Sequence, residues 1–478
     1  VAFPVVNTRT WDEKAALIAI CILILLPVWL RAGTNAEWSW PLTWVALLVL
    51  GILVLLSWNR RRSVASGASS SPAPFLRLRD PVFGLGLLFM LLLIAQWWNA
   101  GRLLYYDPVT TSWNYSEPRH PGWPSAITRS EARQMLDWFL PAWIIVMAIR
   151  SPGFSSRAIR KMWRVVAYHA GILAMFGLVN YAVGSTHMLG FVPMRLHFFA
   201  TFGYPNHAGS YFMMGLCLST ALLSWELGGG REGVHRGRMV ALIAVMILCY
   251  VGAVFSLSRL AILLATALLP VLVFFLIASV WAKLPAVQRV HVIAISLAML
   301  GLALVLTLGL GREAIRREFK PEADNKTFME RETSFRLFQF TSAIHIWMDH
   351  PWVGVGGWGY RYLMGHYVPV DQWRRITEGK ANVHNDPAQF LAEFGLVGGA
   401  CMTGVIGMLG LAAWRNRHPR VPLWWMPLLG CALVGGQSLI DLPFRSPAVL
   451  ALWLMLLAGT SRVIPPRRPA GTTIGHSS

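Results

Sequence analysis

The 478-residue chain is 55% apolar and only 13% charged, a balance that cannot clothe a soluble globular surface and places the protein in a bilayer. Its formal charge of +20 points first to nucleic acid, but the basic residues are split among many short loops with no interleaved aromatic platform. Topology accounts for that charge, and no nucleic-acid partner is expected. The five cysteines (Cys21, Cys217, Cys249, Cys401, Cys431) all fall in apolar runs, where they act as small hydrophobes and write neither a disulfide framework nor a metal site.

In chain order, runs of the length needed to cross about 30 Å of hydrocarbon are predicted at 15–30, 42–57, 82–98, 136–149, 165–183, 208–227, 239–255, 260–280, 290–310, 394–414, 421–440 and 448–459. The expected fold is therefore an all-α integral membrane protein of about twelve transmembrane helices. The first run lacks a small-residue cleavage site and reads as a retained helix. Basic clusters follow alternate runs: Arg60, Arg61 and Arg62; Arg157, Arg160, Lys161 and Arg164; Arg231, Arg236 and Arg238; Lys283 and Arg289; Arg415, Arg417 and Arg420; and Arg462, Arg467 and Arg468. Basic loops stay inside, so both termini are predicted to be cytoplasmic. The Ser-rich stretch 60–74 reads as a flexible linker, and 462–478, with three prolines, as a disordered cytoplasmic tail. Residues 1–461 read as one domain.

The unusual material lies in the outer loops, at about 99–133, 184–205 and 311–393. The first is rich in aromatic residues and proline (Tyr105, Tyr106, Trp113, Tyr115, Trp123, Pro124). Such a composition suits an ordered loop at headgroup level, or one offering stacking faces to sugars. In the third, Phe335, Phe338, Ser342, Ala343, Ile346 and Trp347 recur at helical spacing, which predicts an amphipathic helix on or beside the membrane core, ended by His350-Pro351.

Candidate chemistry is sparse. Arg259 stands at the tight outer turn between the seventh and eighth runs. It either snorkels to phosphate headgroups or offers a planar fork of donors to a diphosphate. Arg195 precedes the turn Gly203-Tyr204-Pro205-Asn206, where Asn206 is placed to cap the following helix or to meet a ligand. Arg336 has Glu332 four residues earlier as its alternative partner. His384 carries the side chain suited to taking a proton from a sugar hydroxyl. Asn385, Asp386 and Glu393 surround it at the outer end of a run. His345, His350 and His366 lack such neighbours and read as ordinary. Asp441 either takes part or pairs with Arg445 across a turn. There is no Walker A loop, HExxH or Asp-x-Asp pair. Glu322/Asp324 and Glu330/Glu332 read as a solvated face, and Gly354-Val355-Gly356-Gly357-Trp358-Gly359 as a tight, flexible turn.

Ser258-Arg259, then Arg336 followed by Trp347 and Pro351-x-x-Gly354-x-Gly356, then His384-Asn385 followed by Glu393-x-Gly395-x-x-Gly398, resemble in that order the O-antigen ligase and polymerase superfamily. The match runs from about Arg195 to Gly398. The resemblance implies a multi-pass protein of a bacterial inner membrane whose outer loops face the periplasm. It implies transfer of a glycan from undecaprenyl diphosphate to an acceptor sugar, on the lipid A core or on another lipid-linked glycan, with inversion and without metal or other cofactor. His384 would be the general base; Arg195, Arg259 and Arg336 would hold the diphosphate; and Asn206, Asn385, Asp386 and Glu393 would contact substrate. Membrane lipids would be its surroundings. Protein O-oligosaccharide transfer within the same superfamily, or a transporter or flippase of lipid-linked or anionic solutes, remain alternatives.

Overall fold

The computed structural model describes residues 8–34, 36–65, 74–107, 110–190, 192–193, 198–228, 235–281, 325–368 and 382–464, with isolated residues between 289 and 305. Within them the chain is overwhelmingly helical: α1 (Thr8–Trp29), α2 (Ala36–Ala65), α3 (Pro81–Trp98), α4 (Arg129–Arg150), α5 (Ser156–Ala182), α6 (Pro205–Leu227), α7 (Arg236–Phe255), α8 (Arg259–Trp281), α9 (Asn325–Asp349), α10 (Gly359–Leu363), α11 (Asp386–Arg415), α12 (Pro422–Gln437) and α13 (Pro447–Thr460). Eight of these, α2 to α8 and α11, are long and apolar enough to cross a membrane, and α13 is a shorter apolar helix. The predicted linker 60–74 is helical at its start, where 60–65 complete α2, and its residues 66–73 lie outside the described residues, as do most of the predicted run 290–310 and of the tail 462–478.

α6 forms the centre of the bundle, packing against α5, α7, α8, α12 and α13. Small residues permit this: a Cβ on Gly215 would meet Cys249 and Ala170, and one on Gly430 would meet Cys217. The helices run alternately up and down, which gives the bundle two chemically different ends. At one end Asp80 caps α3 through the Val82 N–H (3.1 Å) and pairs with Arg150 (2.8 Å), Arg60 pairs with Asp12 (3.2 Å), and Arg462 donates to the carbonyls of Ile149 (2.7 Å), Ser151 and Phe154 (2.8 Å). At the other end lie the α1–α2, α3–α4, α5–α6 and α7–α8 connections and the starts of α11 and α13.

Three readings need correction. The loop after α3 contains an antiparallel hairpin, β1 (Arg102–Asp107) and β2 (Ser112–Ser116), pairing Tyr106 with Trp113, and a two-residue ladder β3 (His187–Met188) with β4 (Val192–Pro193) lies before α6. The helix begun at 136 in the sequence starts at Arg129, because its charged first turn (Arg129, Glu131, Arg133) dilutes the apolar signal. The glycine turn 354–359 is tight but packed on all sides, with every residue buried. Gly354 and Gly356 have φ of +66° and +85°, and a Cβ on either would fall 2.4 Å from a neighbour, on the Glu393 backbone or on Ala126. The amphipathic helix is α9, whose buried stripe Gln339, Ser342, Ala343 and Ile346 has the predicted helical spacing.

Candidate functional site

His384 precedes α11 with φ of +51°, a left-handed conformation that histidine tolerates better than most side chains but that needs support. Asn385 supplies it as N-cap of α11: its side-chain oxygen accepts from the Ala388 N–H (2.9 Å), and its amide donates to the Leu439 carbonyl (2.8 Å). The Asp386 N–H donates to the Ser438 carbonyl (2.9 Å). These bonds tie the His384 loop to the turn that follows α12, and that turn carries Asp441.

Asp441 is a shared acceptor. Tyr204 donates its hydroxyl to Oδ1 (2.9 Å), Asn206 donates to Oδ2, and His384 Nδ1 lies 3.6 Å from Oδ1. Burial alone would raise the Asp441 carboxyl, but the nearby His384 imidazole and the donors Tyr204 and the Leu442 N–H outweigh it and hold the group below its ordinary range. Burial, reinforced by Asp441, pushes the Tyr204 hydroxyl up, so it stays a donor. Arg336, on α9, reaches the same turn, its Nη1 3.5 Å from the Ile440 carbonyl. His384 Nδ1 makes no hydrogen bond, so Asp441 is its nearest charged neighbour rather than a closed partner.

Beneath this surface runs a buried polar chain. The Val383 N–H donates to Gln389, Gln389 donates to Glu393 Oε1 (2.9 Å), and Arg445 pairs with Glu393 Oε2 (2.8 Å) and approaches Asp386 (3.8 Å). Asp386 also accepts from the Phe444 N–H (2.9 Å). Glu393 is 0% exposed. α11 is broken at Gly395 (φ +60°, ψ −165°), and there the 351–356 loop clasps it through four backbone bonds: Val355 N–H to Ala392, Gly356 N–H to Glu393, Leu396 N–H to Pro351 and Val397 N–H to Trp352. The glycines of the sequence motif therefore serve backbone-to-backbone contact.

His384 opens into a cavity of about 230 Å³ lined also by Arg31, Thr34, Gly203, Tyr204, His207, Trp358, Asn382, Leu442 and Arg445. Arg31 enters from the turn after α1 at φ +53°, held by its Nη2 on the Pro193 carbonyl (3.3 Å). His207 is oriented by its Nε2 on the Leu442 carbonyl (2.9 Å). The cavity thus joins one imidazole backed by a carboxylate to cationic and hydroxyl groups.

The predicted residues do not all meet. His384, Asn385, Asn206 and Arg336 converge. Asn206 is not a cap: Tyr204 holds the N-cap position of α6 and Asn206 turns to Asp441. Arg259 stands at the start of α8; the turn before it packs on α6, where a Cβ on Gly209 would meet Ser256 and Ser258, so Arg259 is at the same end of the bundle as His384. Asp386 and Glu393 turn inward onto Arg445, supporting the loop instead of facing the cavity. Arg195 lies outside the described residues, as does the side chain of Glu332. Asp441 does not pair with Arg445. Tyr204, His207 and Arg31 were not singled out for the site by sequence reasoning; Asp441, an acid at the end of an apolar run, was left between taking part and pairing with Arg445.

No curated protein matches the chain. Residues 243–403, the segment holding Arg259, Arg336, His384 and Glu393, match the family model described as O-antigen ligase. The match is confined to this segment and supports a place for it in the O-antigen ligase superfamily.

Proposed function

We propose that this protein transfers a glycan from a polyprenyl diphosphate of the undecaprenyl type to a sugar hydroxyl at the periplasmic face of a bacterial inner membrane. The observation that carries the reading is His384, backed by Asp441 and Tyr204, in a cavity at the less basic end of a membrane helix bundle. The opposite, arginine-rich end is then cytoplasmic.

His384 presents Nδ1 to Asp441, which leaves Nε2 to act as base. The acceptor hydroxyl gives its proton to Nε2, and its oxygen forms a bond to the anomeric carbon. The bond from that carbon to the diphosphate oxygen breaks, with inversion, and the electron pair leaves on the lipid diphosphate. Asp441 stabilises the imidazolium that results, as a carboxylate behind a catalytic histidine does. Arg336 and Arg259, with Arg31 from the cavity wall, neutralise charge as it accumulates on the leaving group; preorganised donors of this kind are each worth about 10²-fold or more in rate. No step needs a metal ion.

The acceptor is either lipid A core, which makes the protein a ligase, or a second lipid-linked glycan, which makes it a polymerase. Purified protein in nanodiscs with EDTA, given an undecaprenyl-diphosphate glycan and in turn lipid A core, a second lipid-linked glycan or a peptide, separates these outcomes. Product on a sugar acceptor supports the reading, product on the peptide alone moves the assignment to protein glycosylation, and donor binding without product on any acceptor favours a transporter.

A further inference from the structure

A second cavity stands apart from the one at His384. It has a volume of about 760 Å³ and lies between the hairpin loop after α3 and the connection from α9 to α10. Its wall includes Pro351 to Gly354, the loop whose other contacts clasp α11, while Trp358 further along the same loop lines the His384 cavity. The two cavities therefore flank one rigid segment.

Arg102 is the unusual member of the wall. Its Nη2 lies 2.6 Å from His350 Nε2, and among the described residues it pairs with no carboxylate, so a half-buried guanidinium rests on an imidazole. Burial, then the charge of Arg102, lowers the His350 pKa, so this ring accepts from Arg102 as the neutral form. Asp349 stands on the other side of His350 with Oδ2 accepting from the Tyr367 hydroxyl. A fork of N–H donors and a carboxylate acceptor thus line one space. Two flat rings join them, and both are open to solvent where a buried core would hide them: Trp352 is 69% and Trp123 62% exposed.

We propose that this cavity is a saccharide subsite, in which Trp352 and Trp123 stack on the apolar face of a sugar unit and Arg102 and Asp349 hydrogen-bond its vicinal hydroxyls. A sugar ring has one face of C–H groups and an edge of hydroxyls that both donate and accept, and this wall offers both complements. A phosphate headgroup would meet Asp349 at close quarters, and an acyl chain would strand Arg102. The size lies within the range of small-molecule sites and has room for a short oligosaccharide. His350 and His366, read as ordinary in the sequence, both line this cavity. The subsite assignment rests on the glycan-transfer reading, and the sugar unit belongs either to the donor chain or to the acceptor.

Binding measured directly separates the two hypotheses. Full-length protein in nanodiscs is titrated with oligosaccharides released by mild acid from the lipid-linked donor and, separately, from the acceptor; farnesyl diphosphate serves as an independent probe of the His384 cavity. One of the two oligosaccharides is expected to bind saturably and to weaken by about tenfold or more in Trp352→Ala, Trp123→Ala and Arg102→Gln, with farnesyl diphosphate binding unchanged. The oligosaccharide that responds identifies the source. Because both tryptophans are solvent-exposed, their variants keep the fold and the test does not depend on Arg102→Gln alone. Absence of oligosaccharide binding, equal binding in all three variants, or a response only to lipid composition overturns the subsite. Loss of farnesyl diphosphate binding with oligosaccharide binding retained counts against the donor reading while leaving the subsite in place.

Discussion

His384 sits in a strained backbone conformation, and the strain is sustained by Asn385, which bonds forward into α11 and across to Leu439. Replacing His384 by Ala removes the base and leaves the Cβ and the backbone conformation in place, so transfer is expected to fall by about 10²-fold to 10⁴-fold while thermal stability changes little. Asp441→Asn keeps the shape but loses the charge opposite Nδ1; kcat should drop by roughly 10-fold to 10³-fold with little change in donor KM, measured in steady-state transfer. Asp441 also predicts an acid limb. Its folded-state pKa is depressed, so its stabilisation is fully present above the unfolded carboxylate value of about 3.9 and is lost as pH falls through the lower folded value. Melting temperature should therefore fall more steeply below about pH 4 in the wild type than in Asp441→Asn; parallel curves would show that Asp441 gains nothing from its donors. At this scale sequence showed His384 and Asn385, because they stand together before an apolar run. It left the role of Asp441 open and did not show Tyr204, because their partnership joins segments far apart in the chain and no local spacing records it.

At the scale of elements, the apolar runs were legible because hydrocarbon demands length and continuity, and the charged first turns of α4 and α11 were not. The run begun at Phe394 starts where α11 breaks at Gly395; the segment before the break is helical too, but Asp386, Gln389 and Glu393 interrupt its apolar residues, and its two acids turn onto Arg445. The glycine motifs were visible as a pattern, but their meaning needed the fold: Gly395 at φ +60° lets the Trp352 carbonyl carbon lie 2.4 Å from where a Cβ would stand. Gly395→Ala should cost on the order of 2 kcal/mol or more, read as a lowered melting temperature in detergent. Glu393→Gln should cost on the order of 3 kcal/mol, because it leaves Arg445 buried without its nearest counter-charge. An unchanged melting temperature in Glu393→Gln would mean that Asp386, at 3.8 Å, suffices for Arg445.

At the scale of the molecule, this is a multi-pass membrane protein, similar over residues 243–403 to the O-antigen ligase family, whose ends differ in charge and chemistry. Arginines capping carbonyls and pairing with Asp80 and Asp12 close one end, and the other gathers imidazole, carboxylate and arginine around two cavities. Arg336 and Arg259 come from helices far apart in the chain, so a shared diphosphate is the account's reason for their meeting at one end. A lysine at either position keeps the charge but loses the planar fork, and Arg336→Lys and Arg259→Lys are each expected to raise donor KM or lower kcat by about tenfold or more. Undiminished turnover in both would leave them as membrane-surface anchors. The central claim is that His384 is the base of a metal-independent glycan transfer. Its most direct test is single-turnover transfer from an undecaprenyl-diphosphate glycan in EDTA by His384→Ala protein, with donor affinity measured on the same preparation. Donor binding like the wild type with transfer abolished is expected; transfer at the wild-type rate would rule His384 out as the base.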